Sequence, residues 1–140
     1  MCRLLPHCRI GSFATASNAY KVHAVREPTY RERLAARRAL LERSVARIVD
    51  ICRAIEDVRA AYVFGSFVRD SIRLRSDLDV LIVRDTPLRR AERDLDIRRA
   101  FDVPLGLDLL VVTPQEYAER LPSTSFGRTI VAEALCVYAA

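Results

Sequence analysis

Between Thr29 and Ile55 the apolar positions fall on one side of a helix. Leu34, Leu41, Val45, Ile48, Cys52 and Ile55 follow one another at spacings of seven, four, three, four and three, the period of an amphipathic helix about 25 residues long. Thr29, with Glu32 three residues on, forms a capping box and sets its start. The opposite face carries Arg37, Arg38, Glu42, Arg43, Arg47 and Arg53 and reads as a solvated face, with a partner or nucleic-acid surface as the alternative. The continuous apolar run Ala60–Phe64, stopped by Gly65-Ser66, reads as a buried strand. A short helix is expected over Phe67–Ile72, a polar link over 73–77, a second strand over Leu78–Val83 and a charged helix over Leu88–Phe101. Leu107–Val112 is a third strand. Thr113-Pro114-Gln115-Glu116 opens another helix with proline at its first position. A last helix over Phe126–Ala134 leads into a terminal strand, Leu135–Tyr138. This alternation predicts the α/β (α+β) class, a mixed β-sheet with flanking helices, over residues 27–140. Residues 1–26 show no sustained period and read as a poorly ordered tail.

Composition narrows the function. The chain has 140 residues, 51% hydrophobic and 29% charged, which describes one globular domain rather than a disordered chain. Only 7% of residues are aromatic and tryptophan is absent, so stacking surfaces for single-stranded nucleic acid are scarce and no nucleic-acid partner is expected. The 23 basic and 18 acidic residues leave a net charge of +5, which suits a polyanion, and a nucleoside triphosphate meets that description. No apolar run is long enough to span a bilayer, so no membrane association is expected. Residues 1–26 lack acids, as an organelle transit peptide does, but the simpler reading is a leader of no fixed structure. The four cysteines show no zinc spacing. Cys52 and Cys136 read as small core residues of a reduced cytoplasmic protein. Cys2, His7, Cys8 and His23 would need a scaffold to gather a metal, and the irregular tail offers none.

Three features carry chemistry. Gly65-Ser66 stands where a strand turns into the expected helix, so backbone N–H groups and the positive helix end face a phosphate placed there. Glycine lets that phosphate approach, Ser66 adds a hydroxyl, and Arg69 lies one turn on. Next, Asp77 and Asp79 are i and i+2 at the start of a strand, so they share a face while Leu78 points to the core. Paired carboxylates of this kind suit Mg²⁺, a hard cation that also takes substrate phosphates. Finally, Asp108 is the one polar residue in Leu107–Val112, where a lone buried carboxylate is costly. It reads either as a strand end at the sheet edge or as a third carboxylate beside Asp77 and Asp79. Three carboxylates would hold two Mg²⁺ ions, one on the nucleotide phosphates and one at the attacking hydroxyl.

Gly65-Ser66, ten residues, then Asp77-Leu78-Asp79 resembles the G-S-x10-D-x-D signature of the minimal nucleotidyltransferases of the DNA polymerase β-like superfamily. The passages Val63–Arg69 and Ser76–Val83 resemble that family throughout, and Leu107–Val112 is similar to its third-carboxylate strand. The likeness spans about residues 30–140 and implies the palm-like nucleotidyltransferase fold. It implies that Asp77, Asp79 and Asp108 are catalytic and ligate the metals, with Asp108 helping to deprotonate the acceptor. Gly65, Ser66 and Arg69 would hold the triphosphate. The family usually has glycine after that arginine, and here Asp70 stands in its place. Small members of the family are antitoxins of HEPN-type ribonuclease toxins, and some transfer AMP from ATP to a toxin tyrosine. The expectation is therefore a nucleotidyltransferase acting on a protein hydroxyl. The alternatives are a toxin-binding antitoxin without catalysis, or an enzyme acting alone on a small alcohol such as an aminoglycoside.

Overall fold

The computed structural model describes residues 26–140. The tail expected over 1–26, Arg26 excepted, and the Cys2, His7, Cys8 and His23 set lie outside the described residues. Helix α1 runs over Tyr30–Ala54. Its capping box forms as expected: Thr29 Oγ1 accepts the Glu32 N–H at 3.3 Å and the Glu32 carboxylate accepts the Thr29 N–H at 2.6 Å. The predicted stripe is the buried one, with Leu41, Ile48 and Cys52 fully enclosed and Leu34, Val45 and Ile55 packed around them. Burying each large side chain contributes about 2 kcal/mol. The same burial pushes the Cys52 thiol up to about 11.

Strands β1 (Val58–Phe64), β2 (Leu78–Arg84), β3 (Leu107–Val112) and β4 (Leu135–Ala139) form one sheet in the order β3-β2-β1-β4. β1 is antiparallel to β2 and to β4, while β2 and β3 are parallel. Helix α2, Leu95–Ala100, lies in the β2-to-β3 connection, and α3 is Ser125–Glu133. The sheet is covered on both sides. Ala61, Val63, Leu78, Val80, Ile82 and Val111 pack with α1 and Ile97 of α2. Phe64, Leu81, Val83 and Val112 pack with Leu121 and with Ile130 of α3. Double coverage explains why β2 is apolar almost throughout, and Asp79 is its one residue that is not buried.

The predicted helix over Phe67–Ile72 is absent. Residues 65–70 form a turn, closed by Arg69 N–H to Gly65 O and Ser71 N–H to Ser66 O. Gly65 and Asp70 both take positive φ, +75° and +54°, a conformation no right-handed helix contains. The helix expected over Leu88–Phe101 shrinks to α2. The Arg93 carbonyl, which would receive the Ile97 N–H, accepts Arg84 Nη1 at 2.7 Å, and the Ile97 N–H goes to Asp96. The segment after Thr113 is capped by Thr113 and Glu116 as expected, but winds as a π-helical turn over Glu116–Arg120. Cys136, read as a core residue, is exposed, because β4 is an outer strand of the sheet.

Candidate active site

The three carboxylates lie where β2 and β3 begin. Asp79 is flanked in register by Phe64 of β1 on one side and Asp108 of β3 on the other. Directly opposed residues put their side chains on the same sheet face, so Asp79 and Asp108 are lateral neighbours. Asp77 lies just before β2, and its charge acts on Asp79. β3 is an edge strand and Asp108 is exposed, and in register it stands beside Asp79.

Glycine makes room for two of these side chains. A β-carbon at Gly65 would collide with Asp79 Oδ2, and its positive φ already disfavours any other residue. A β-carbon at Gly106, just before β3, would collide with Asp77 Oδ1. The Asp79 carboxylate therefore rests on the Gly65 backbone, and the carboxylate cluster and the proposed phosphate corner are one continuous place.

Electrostatics show the strain of that cluster. Burial raises the Asp79 carboxyl above the usual range, and the charge of Asp108 raises it further, with a smaller push from Asp77. The Arg69 charge and the facing Ser66 N–H pull it down without cancelling the rise. Among the described residues no three acidic, histidine or cysteine side chains close on a common point. Asp77 instead has Arg37 Nη2 at 3.5 Å. The Asp79–Asp108 pair nevertheless suits a divalent cation: two laterally adjacent carboxylates, the charge of one raising the pKa of the other.

Arg37 and Glu133 were not expected here. Arg37, assigned from sequence to a solvated face, donates from Nε and Nη2 to the Ser76 carbonyl at 2.9 and 2.7 Å and fixes the entry to β2. Its neighbour Arg38 pairs with Asp70, and Arg47 reaches Asp102 at 2.9 Å, so this face binds loops rather than water alone. Glu133, the last residue of α3, accepts the Gly65 N–H at 3.3 Å and takes Arg69 Nη1 on both oxygens, at 2.9 and 3.1 Å. Two of the donors expected to face a phosphate, the Gly65 N–H and Arg69 Nη1, are therefore held by a carboxylate of the chain itself. Its partners lie more than 60 residues away in sequence, so no local pattern reveals it. The available signal was an acid at a helix C-terminus, where the dipole disfavours it, with no basic residue in the last turn.

The family model described as polymerase beta, nucleotidyltransferase, matches residues 46–125, which include both the Gly65 corner and all three carboxylates. In fold the chain is similar to a candidate nucleotidyltransferase from Sulfolobus solfataricus, with a TM-score of 0.51 and 16% identity over 83% of this chain and 92% of that one. It is also similar to a toxin–antitoxin crystallised with AMP-PNP, with a TM-score of 0.50 and 19% identity over 69% of this chain and 73% of that one. No curated protein matches the chain.

Proposed function

The chain belongs to the polymerase β nucleotidyltransferase family, and from that membership we propose that it is a magnesium-dependent enzyme transferring AMP from ATP to a hydroxyl of a protein acceptor. The acceptor in this reading is a HEPN-type ribonuclease toxin in the cytoplasm, for which the chain serves as antitoxin. The observation that carries the proposal is the lateral Asp79–Asp108 pair set against the Gly65 turn. The toxin–antitoxin with AMP-PNP, similar in fold, supports the choice of nucleotide and partner.

In the reaction the acceptor oxygen bonds to the α-phosphorus, the α–β phosphoanhydride breaks, pyrophosphate leaves, and the hydroxyl proton passes to the Asp108 carboxylate. Gly65, Ser66 and Arg69 hold the triphosphate tail and orient the α-phosphorus. Asp77, Asp79 and Asp108 would hold the magnesium, which neutralises charge on the phosphates and acidifies the attacking hydroxyl. The membrane plays no part in this scheme, and among the described residues no helix is long and apolar enough to cross one.

The test is transfer of label from α-labelled ATP to the product of the adjacent reading frame. Wild type is expected to label it and Asp77→Ala to leave it blank; identical signals would overturn the enzymatic reading. A contact-only antitoxin is the second reading, favoured by Glu133 holding the donors of the corner. Replacing Asp77, Asp79 and Asp108 together by asparagine separates the two: full neutralisation of the toxin by that variant supports contact alone, and loss of neutralisation supports catalysis.

A further inference from the structure

We infer that Glu133 sets the affinity of the triphosphate corner: its carboxylate occupies two of the donors that a phosphate would use, the Gly65 N–H and Arg69 Nη1, and a polyanion enters by displacing it. The inference rests on the proposed role of Gly65 and Arg69 in binding the nucleotide.

The Gly65 N–H carries one hydrogen, and that hydrogen points to Glu133 Oε1. The Gly65–Arg69 turn hydrogen bond and the Asp79 side chain packed against Gly65 hold this peptide in the turn. Arg69 spends Nη1 on both Glu133 oxygens. A phosphate therefore meets the same donors as the carboxylate, at the same place, with the same sign of charge. Two such groups cannot share the corner, since like charges at contact distance repel strongly.

The placement of Glu133 points the same way. It ends α3, where unsatisfied carbonyls make a negative pole, and the last turn supplies no basic residue. The carboxylate is held by Gly65 and Arg69, from the β1 end of the sheet, and by nothing on its own helix. Its side chain is 22% exposed and that of Arg69 54%, so water and a ligand reach the pair from the open side and the contact can exchange. A single carboxylate carries one charge, whereas a triphosphate carries several and uses more donors. The corner then discriminates: a polyphosphate tail displaces Glu133, and a weakly charged anion does not.

The experiment is titration calorimetry with inorganic tripolyphosphate on wild type, Glu133→Gln, Glu133→Ala and Arg69→Ala, each checked by thermal melting. Glutamine keeps the shape and removes the charge, and alanine removes the contact. Both Glu133 variants are expected to bind tripolyphosphate about tenfold more tightly than wild type, and Arg69→Ala more weakly. Unchanged or weaker binding in the Glu133 variants, with Arg69→Ala still impaired, would overturn the displacement and leave the corner standing, with Glu133 a residue that positions Arg69. Equal binding in Arg69→Ala and wild type, or none in any form, would overturn the corner itself as the phosphate site.

Discussion

Both ends of β2 carry a cluster of charge, and the two are built on opposite principles. At the C-terminal end, the buried Arg84 guanidinium meets Asp57 at 2.7 Å, both oxygens of Asp96 at 2.8 Å and the Arg93 carbonyl. One cation serves two anions, and each of its three nitrogens donates. Burial alone would raise the Asp96 carboxyl, but hydrogen bonds from Arg84 and the Ile97 N–H outweigh it and hold the group below the usual range. At the N-terminal end Asp79 feels the charges of Asp108 and Asp77, with Arg69 as the cation acting on it, and Arg69 is engaged by Glu133. Asp79 is held above the usual range. A cluster whose charged groups are hydrogen-bonded to one another locks a fold in place, whereas one in which like charges face each other is stable only at a cost, which a ligand can remove.

Replacing Asp79 with asparagine is the sharpest test of that contrast, because activity and stability should move in opposite directions. Transfer of labelled AMP is expected to fall about a hundredfold or more, since a ligand to the charge-neutralising ion is lost. Thermal midpoints without divalent ions should rise, because a partly buried anion beside Asp108 is gone. Adding magnesium should raise the wild-type midpoint by mass action and leave the variant's nearly unchanged. A variant less stable than wild type in metal-free buffer would mean that the carboxylates are balanced by contacts already present.

The Arg84 end should respond with a loss of stability and little change in chemistry. Arg84→Met leaves Asp57 without its guanidinium partner and Asp96 with the Ile97 N–H alone. A fully buried pair would cost about 3–5 kcal/mol to break, and the partial exposure of both acids reduces this to about 2 kcal/mol, measured by urea denaturation at pH 7. Asp96→Asn probes the same end by pH. A carboxyl whose folded pKa is depressed contributes stability above its unfolded value, near 3.8, and loses it as pH falls through the folded value. The stability gap between wild type and Asp96→Asn should therefore be full at pH 6 and close steadily below about pH 4. A gap independent of pH would show that Asp96 acts through packing rather than charge.

The sequence was easiest to read where periodicity and local chemistry agree. The stripe and capping box of α1 and the runs of β2 and β3 needed only residues close together in the chain. Two-residue alternation predicts that Asp77 and Asp79 share a face, but β2 begins only at Leu78, so the alternation does not extend to Asp77. That Asp108 should face Asp79 needs the parallel register of β2 and β3, which the residue pattern leaves open and the family resemblance implies. Long-range contacts decided the rest. Arg84 takes the Arg93 carbonyl out of the expected helix, and Glu133 reaches the Gly65 corner from the far end of the chain. Cys136 looked buried because a run of apolar residues does not reveal that its strand lies at the edge.

Strain, like uncompensated charge, gathers at the N-terminal end of β2: among the described residues the two with positive φ are Gly65 and Asp70, which bound the turn leading toward it. Asp70 occupies the place where the resembling family carries glycine, and its φ of +54° gives the physical reason for that glycine. Aspartate tolerates the left-handed region better than most residues, yet still bears a strain of about 1 kcal/mol that glycine would not. Against this, glycine loosens the unfolded chain by about as much and gives up the exposed pair with Arg38, which contributes little. Asp70→Gly should therefore change stability by less than about 0.5 kcal/mol, the smallest of these effects. Asp70→Ala loses the same pair but keeps the steric clash, and should be about 1 kcal/mol less stable than Asp70→Gly. The comparison of these two variants by urea denaturation isolates the backbone from the charge, and an alanine variant as stable as the glycine one would show that this turn holds no backbone strain.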